Sequence, residues 1–444
     1  MTKWVLLPTL ALLLFMPMWC SEPENGIELT IEKAIEMALK NDKNYLVSQL
    51  EVKRNKFKVH QNMGFLPTVT LDGTKNLDEK LMEIEIPPFY PGGETTKTTL
   101  DFTRNYEFSF QIVQPVYTGG KIWNAFKNAQ LDLAIAKEKQ QNASEDSILN
   151  VKKIFFNILV MQELLKAHLE ARDVAQTNLN NILEKYELGM ASMYDRMQAE
   201  LAVSATKPDI SRIQKNIEIA MLNLKYMTGI PETTPITISG ELTYTPFSPN
   251  DNEFQQKSLI NASEIVQMKM ELKKSNNLLK MAYGQFMPNI NLVASYSYRA
   301  DKFSLKNLSK NWENYYTINL ALSFPIFTGL KTSGEVGEAK VLKKMMGLNY
   351  QMLNETVKLQ VKDLCMTIRE EYENIQTGLK NIETATEGAR IARLTYDEGL
   401  ISILDLNSSN NQVTLARIQY LQALYNYKIA IAELEKISGE SIHK

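Results

Sequence analysis

Pro115-Val116-Tyr117-Thr118-Gly119-Gly120-Lys121 occurs twice in this chain, returning as Pro325-Ile326-Phe327-Thr328-Gly329-Leu330-Lys331. The two copies lie 210 residues apart. Working outward at that spacing, Tyr186-Glu187-Leu188-Gly189 returns as Tyr396-Asp397-Glu398-Gly399, with Ser192 and Asp195 matched by Ser402 and Asp405. Met227-Thr228-Gly229 returns as Ile437-Ser438-Gly439. A constant offset means that no insertion separates the copies over this stretch. Upstream, Phe65-Leu66-Pro67 matches Phe286-Met287-Pro288 at a spacing of 221, because the first copy carries a longer segment between Pro67 and Pro115. A duplicated unit of this size implies a pseudo-symmetric architecture rather than two unrelated domains.

Each copy carries two alternating runs ahead of the junction. Glu107-Phe108-Ser109-Phe110-Gln111-Ile112 alternates strictly, as does the run Asn289 to Tyr298, and Tyr316 to Phe324 places Tyr316, Ile318, Leu320, Leu322 and Phe324 on one side. A weaker run follows Pro67, with Val69 and Leu71 against Thr68, Thr70 and Asp72. Runs of about ten residues, apolar on one face and small and polar on the other, match transmembrane β-barrel strands. A half-buried sheet of a soluble sandwich has the same alternation. The strands read as two isolated hairpins embedded in helix with no second sheet to cover them, which favours the barrel. On that reading Phe108, Phe110, Ile112, Ile290, Leu292, Ile318, Leu320 and Leu322 face lipid. Ser109, Gln111, Asn291, Ser295, Thr317 and Asn319 face a lumen. Residues 77–104 and 300–312 become the loops at the hairpin tips.

The rest reads as helix. Lys121 to Leu188 contains neither Pro nor Gly, and at 1.5 Å per residue it extends roughly 100 Å. Its copy runs from Lys331 to Glu398. Ile154, Ile158, Met161 and Leu165 form one apolar stripe, while Val160, Leu164, Ala167, Ala171 and Val174 form a second. Two seams about 100° apart give the helix neighbours on two sides, as in a curved wall of helices. The resulting map has a first repeat over 28–229, with a helix 28–64, strands 67–76 and 105–115, a long helix 121–188 and a helix 195–228. A linker covers 230–252. The second repeat covers 253–439, with a helix 254–285, strands 288–299 and 314–325, a long helix 331–398 and a helix 405–438.

Composition narrows the function. The chain has 444 residues, 23% of them charged, and a net charge of −2, so nothing calls for nucleic acid. Three histidines and two cysteines leave little for a metal site or thiol chemistry, and no cofactor is implied. Cys365 lies in a helical stretch and reads as a small core residue. Residues 1–20 read as a signal peptide: Lys3 precedes an apolar run from Trp4 to Met18, too short to span a bilayer as a helix. Cys20 at its end is either a lipidation site or the neighbour of an ordinary cleavage, and Trp19 stands where a lipobox wants a small residue. No Ser-His-Asp, metal or phosphate-loop constellation is present, so the sequence does not read as an enzyme.

Taken together, the duplicated strand-strand-long helix order, the Pro-x-[Tyr/Phe]-Thr-Gly-x-Lys junctions and the Tyr-x-x-Gly…Ser-x-x-Asp turns resemble the TolC family of outer-membrane efflux proteins. The resemblance covers essentially the whole chain after its leader. It implies a mainly α protein with a membrane β part: a homotrimer with a 12-strand outer-membrane β-barrel, continued by a long periplasmic α-helical barrel. It further implies the exit duct of a tripartite efflux system, a porin-like channel passing drugs and other small molecules without chemistry. The implied partners are a periplasmic adaptor (membrane fusion protein), an inner-membrane RND or ABC transporter, and outer-membrane lipid. A type I protein-secretion duct is the nearest alternative, and a periplasmic coiled-coil scaffold a remote one.

Gly189 and Gly399 end the long helices and permit a sharp reversal. Asp195 and Asp405 follow where the next helices begin, as ordinary N-caps on one reading. On the other reading, Asp405 carries the family's aperture acid, making a carboxylate ring in the trimer. One helical turn later the chain has Ser408 rather than a second acid, which departs from the family pattern. Tyr396 matches an aromatic that in some members bonds a neighbouring coil and restrains the gate, with Asp195 as its acceptor. Alternatively, Tyr396 is a seam residue.

Overall fold

The computed structural model describes residues 27–77, 82–100, 106–300, 303, 312–440 and 442. The signal-peptide assignment and Cys20 fall outside the described residues. In chain order the elements are β1 (Ile27–Leu29), α1 (Ile31–Asn41), α2 (Lys43–Gln61), β2 (Thr68–Lys75), β3 (Met82–Ile86), β4 (Thr96–Leu100), β5 (Tyr106–Tyr117), α3 (Lys121–Glu187) and α4 (Met193–Thr228). Then follow β6 (Ile236–Ile238), α5 (Asp251–Asn261), α6 (Ser263–Gly284), β7 (Asn289–Ala300), β8 (Glu313–Ser323), α7 (Lys331–Asp397) and α8 (Ile403–Ser438). The chain forms two compact units. One comprises the described residues up to Asp42 with Asn150–Pro246 and Glu371–Ile429, and the other Lys43–Leu149, Phe247–Glu370 and the residues from Ala430 on.

The second of these units holds an antiparallel sheet in the order β2-β5-β7-β8. The register places one parity of all four strands on a common face. Leu71 pairs with Phe110, Phe110 with Tyr296, and Tyr296 with Tyr316. Val69, Ile112, Ala294 and Ile318 form a second such row, and Leu292 and Ile290 pair with Leu320 and Leu322. All eight residues assigned to lipid from alternation therefore share one face. Ile318, Leu320 and Leu322 are each 67% exposed in the single chain, so none of the described residues covers them. The opposite face is polar and cross-linked. The hydroxyls of Ser295 and Thr317 share a 2.8 Å hydrogen bond, and that of Ser297 donates to Ser109 at 3.1 Å. Arg299 and the Tyr315 hydroxyl both donate to Glu107, at 3.2 and 3.1 Å.

Four expectations need correction. The strands are not two isolated hairpins, because β5 and β7 pair from Tyr106↔Ala300 to Tyr117↔Ile290, with a bulge after Pro115. The exposed edge of the second strand in the first copy is satisfied by the first strand of the second copy, and a local pattern holds no trace of that pairing. The span 77–104 is not only loop, since β3 and β4 form a hairpin within it. The Pro- and Gly-rich tip at 87–93 had masked the alternation of its flanks. The linker 230–252 contains β6, paired in parallel with β1. Finally, each shorter helix before the strands is broken. The expected helix 28–64 divides at Asp42 (φ −63°, ψ 115°), and 254–285 divides at Ala262 (φ −57°, ψ 120°).

The breaks are equivalent and have a reason. Beside the first, the Asn41 amide donates to the Thr228 carbonyl at 2.7 Å. Beside the second, Asn261 donates to the Ser438 carbonyl at 3.0 Å. Each amide thus satisfies a carbonyl left without a partner at the end of another helix. Gly229 and Gly439 (φ 72° and 66°) follow those carbonyls in the left-handed conformation. A Cβ at Gly229 would stand 2.7 Å from Asn41, so the position requires glycine for space as well as φ.

The core of the first unit is a cluster of Leu29, Ala34, Ala38, Val151, Phe155, Ile158, Leu159, Ala220 and Leu224, closed by Ile230 and Ile238 of the linker. The linker is also held farther on, where the Tyr427 hydroxyl donates to the Thr245 carbonyl at 2.9 Å. At the strand-to-helix junctions both copies use two successive left-handed residues. These are Gly119 and Gly120 in the first copy (φ 63° and 75°), and Gly329 and Leu330 in the second (φ 64° and 70°). Leu330 is a non-glycine residue held where a Cβ is disfavoured, which shows how strongly the duplicated geometry constrains this turn.

Candidate functional site: the paired helix turns

Both turns lie in the first unit, and the same local chemistry builds them. At the end of α3 the N–H of Gly189 donates to the Tyr186 carbonyl at 2.9 Å, and that of Met190 to Lys185 at 2.7 Å. At the end of α7 Gly399 donates to Tyr396 and Leu400 to Thr395, both at 2.9 Å. These are matched Schellman closures, with glycine at φ 73° and 76°.

The next helices start with matched capping boxes. The amide of Asp195 donates to the Ser192 hydroxyl oxygen at 3.1 Å, while the Asp195 carboxylate accepts from the Ser192 amide and hydroxyl at 3.0 and 2.7 Å. In the second copy the Asp405 amide donates to the Ser402 hydroxyl oxygen at 3.2 Å. Its carboxylate accepts from the Ser402 amide and hydroxyl at 3.1 and 2.6 Å. The caps are therefore the serines, and both aspartates occupy the third helical position, correcting the N-cap expectation. The hydroxyl of Ser402, with its amide, holds the Asp405 carboxyl below the usual carboxylate range. Asp405 and, one turn on, Ser408 are both exposed in the single chain.

Packing brings the two turns together. Ile182, Ala199, Ile403 and Leu406 form a buried cluster, with Leu179, Ala191, Ala392 and Tyr396 against it. Tyr396 is thus half in a seam and half at the surface. The Lys185 ammonium sits 5.0 Å from its ring centroid. Burial raises the pKa of its hydroxyl, as do the charges of Asp195 and Asp397, while Arg393 opposes them. No hydrogen bond joins Tyr396 to Asp195 in the single chain; the Asp195 carboxylate is engaged by Ser192.

Sequence reading missed the polar ties between α3 and the second copy. Arg393 donates to the buried Asn178 side chain and pairs with Asp397 at 3.2 Å. Arg417 pairs with Glu170. A charge on an otherwise amphipathic helix gives no signal of a partner more than two hundred residues away. The Ser-x-x-Asp spacing, by contrast, was visible, although the cap was read at the aspartate rather than the serine. Among the described residues no group of three or more His, Cys, Asp or Glu side chains converges as a metal set, and no helix is long and apolar enough to cross a membrane.

A duplicated, mainly helical chain with one four-stranded sheet joining the two copies has the fold of the TolC-like channels. The Campylobacter jejuni CmeC outer membrane channel superposes with a TM-score of 0.76 at 17% identity, over 93% of this chain and 87% of that one. The family model described as outer membrane efflux protein matches residues 34–230 and again 255–440, one match per repeat. The chain belongs to this outer membrane efflux protein family, which places it in the outer membrane. Among its relatives, Nodulation protein T of Rhizobium leguminosarum bv. viciae is 22% identical over 284 residues, 60% of this chain and 58% of that protein. Outer membrane protein TolC of Salmonella enteritidis is 22% identical over 204 residues, 44% of this chain and 40% of that protein. The matched stretches thus span less than two thirds of the length of either relative.

Proposed function

We propose that three copies of this chain close one 12-strand barrel through the outer membrane, and that the long helices of the three line a periplasmic helical barrel. The observation that carries this is the uncovered apolar face shared by all four strands, together with the outer edges of β2 and β8, which pair with no strand among the described residues. Four strands do not close a barrel. Eight would have an interior filled by side chains, whereas twelve leave room for a polar lumen lined by Ser109, Gln111, Asn291, Ser295, Thr317 and Asn319. The duct carries small toxic molecules outward without chemistry, fed by an inner-membrane RND or ABC transporter through a periplasmic adaptor. Type I secretion of a polypeptide uses the same channel and differs only in the pump.

The aperture in this reading is the second turn, with Asp405 and Ser408 lining it and Gly399 setting its reversal. Tyr396 and Asp195 act as a restraint on the neighbouring coil, while Gly189 and Asp195 shape the companion turn. The Ser402 cap favours ionised Asp405, whereas mutual repulsion of three carboxylates disfavours it, so a bound cation resolves the conflict. Single-cysteine labelling in membranes tests the barrel. Positions 109, 111, 295 and 317 should react with a water-soluble maleimide, and 110, 112, 318 and 320 should not. The detergent-solubilised protein should have the native mass of a trimer. Equal labelling of both parities, or a stable monomer at micromolar concentration, refutes the assembly.

A further inference from the structure

The sheet register places all four strand-to-helix junctions at one end of the sheet. Thr68, just after α2, pairs with Val113, close to where β5 leads into α3. Asn289, just after α6, pairs with Ser323, where β8 leads into α7. Over the eight residues nearest the strands, about 12 Å of each helix, α2, α3, α6 and α7 carry seven Lys and Arg side chains. The same windows hold two carboxylates, Glu335 and Glu338, both on α7. The whole chain, by contrast, carries a net charge of −2. Arg54 pairs with Glu51, and Lys331 stands 4.0 Å from Glu335. Lys56, Lys58, Lys127 and Lys280 are exposed and, among the described residues, form no ion pair.

Helix energetics explain only part of this charge. Cations at the ends of α2 and α6 complement the helix dipole, but Lys121 and Lys331 open α3 and α7, where the dipole favours an acid. Aromatic rings interleave with the cations. Phe65 packs edge-on to Trp123 and Phe126 at centroid distances of 6.2 and 5.3 Å, and the Lys127 ammonium lies 5.4 Å from the Trp123 ring. Trp123 itself is 53% exposed, an indole in the first turn of α3, just beyond the end of β5, with a cation beside it. Indoles with lysines just beyond them are the side chains that settle at a bilayer interface, and an excess of lysine there attracts anionic headgroups.

Resting on the barrel reading above, we infer that this end of the sheet is a collar for anionic glycerophospholipid headgroups in the leaflet on the helix side. Lys56, Lys58, Lys127 and Lys280 supply the free charge, and Trp123 marks the boundary. Three copies would triple the charge around one barrel, fixing its height in the bilayer.

The test uses the full chain with Trp4, Trp19 and Trp312 replaced by Phe, which leaves Trp123 as the single indole. The protein is reconstituted in phosphatidylcholine vesicles containing a minor fraction of either brominated phosphatidylcholine or brominated phosphatidylglycerol. We expect the brominated phosphatidylglycerol to quench Trp123 about threefold more effectively per mole, and the preference to fall to about one at high salt. The same loss is expected in the variant carrying Lys56→Gln, Lys58→Gln, Lys127→Gln and Lys280→Gln. Equal quenching by the two lipids at low salt overturns the collar while leaving the barrel intact, and so does a preference that survives in the four-Gln variant. Quenching by neither lipid overturns the barrel reading itself. Should the variant fail to assemble, the salt dependence of the parent protein decides.

Discussion

The two helix turns are alike in backbone and unlike in what surrounds them. Both have a left-handed glycine, a Schellman closure and a Ser-x-x-Asp box. Yet Ile403 and Leu406 of the second turn are buried, while their counterparts in the first are Met193, which is exposed, and Arg196, which pairs with Glu200 at 2.9 Å. Leu188, Met190, Tyr194 and Met197 continue an exposed apolar surface on the first turn. Duplication therefore preserved the hydrogen bonds that reverse the chain and released the side chains to differ. The second turn anchors Ile403 and Leu406 in the cluster with Ile182 and Ala199 while leaving Leu400 and Leu404 exposed, whereas the first turn leaves Met193 exposed at the equivalent position.

The largest effect expected from this contrast is on stability. Ile403→Ala should cost about 2–5 kcal/mol by opening a cavity in the buried cluster, and Met193→Ala at the equivalent position should stay within about 0.5 kcal/mol. Thermal melting of the solubilised assembly distinguishes them; equal losses would erase the asymmetry.

Next in size is the effect on conductance. Asp405→Ala should reduce block by multivalent cations in single-channel recordings and leave the assembled protein intact, whereas Asp195→Ala should leave block unchanged. The reverse pattern would mean that the pore-lining turn is the first one.

A smaller effect concerns the cap. Ser402→Ala should destabilise by about 1 kcal/mol at neutral pH. Because the Asp405 pKa is depressed in the folded protein, its stabilisation is present above the unfolded carboxylate value and is lost as pH falls through the folded one. The parent protein should therefore lose more melting temperature on acidification below about pH 4 than Ser402→Ala does, since the variant lacks the main cause of the depression. Parallel acid profiles would show that the hydroxyl does not act on Asp405. The smallest expected change is for Tyr396→Phe. It should raise open probability if the hydroxyl restrains a neighbouring coil, while a seam role alone, served by the ring against Lys185 and the buried cluster, leaves gating unchanged.

Much of this was readable from residues alone because it is local. The spacing of 210, the strand parities, the reversing glycines and the serine-aspartate boxes are all patterns within a few residues of one another, governed by backbone sterics and hydrogen bonds that do not depend on distant partners. Even so, the local reading misplaced the caps by three residues, since aspartate and serine are both good cap residues and only the bond directions separate them.

What the tertiary structure alone decided involves pairs far apart in the chain. The β5–β7 edge joins residues roughly two hundred apart and turns two hairpins into one sheet. The helix breaks at Asp42 and Ala262 have no Pro or Gly to announce them; they are set by Asn41 and Asn261 satisfying the carbonyls of Thr228 and Ser438. The oxygen of buried Asn178 accepts from Arg393, and neither residue advertises the other. Local sequence specifies which backbone conformations are cheap. Which unsatisfied edge, carbonyl or buried amide meets which partner depends on where the folded chain brings them, and that information is not local.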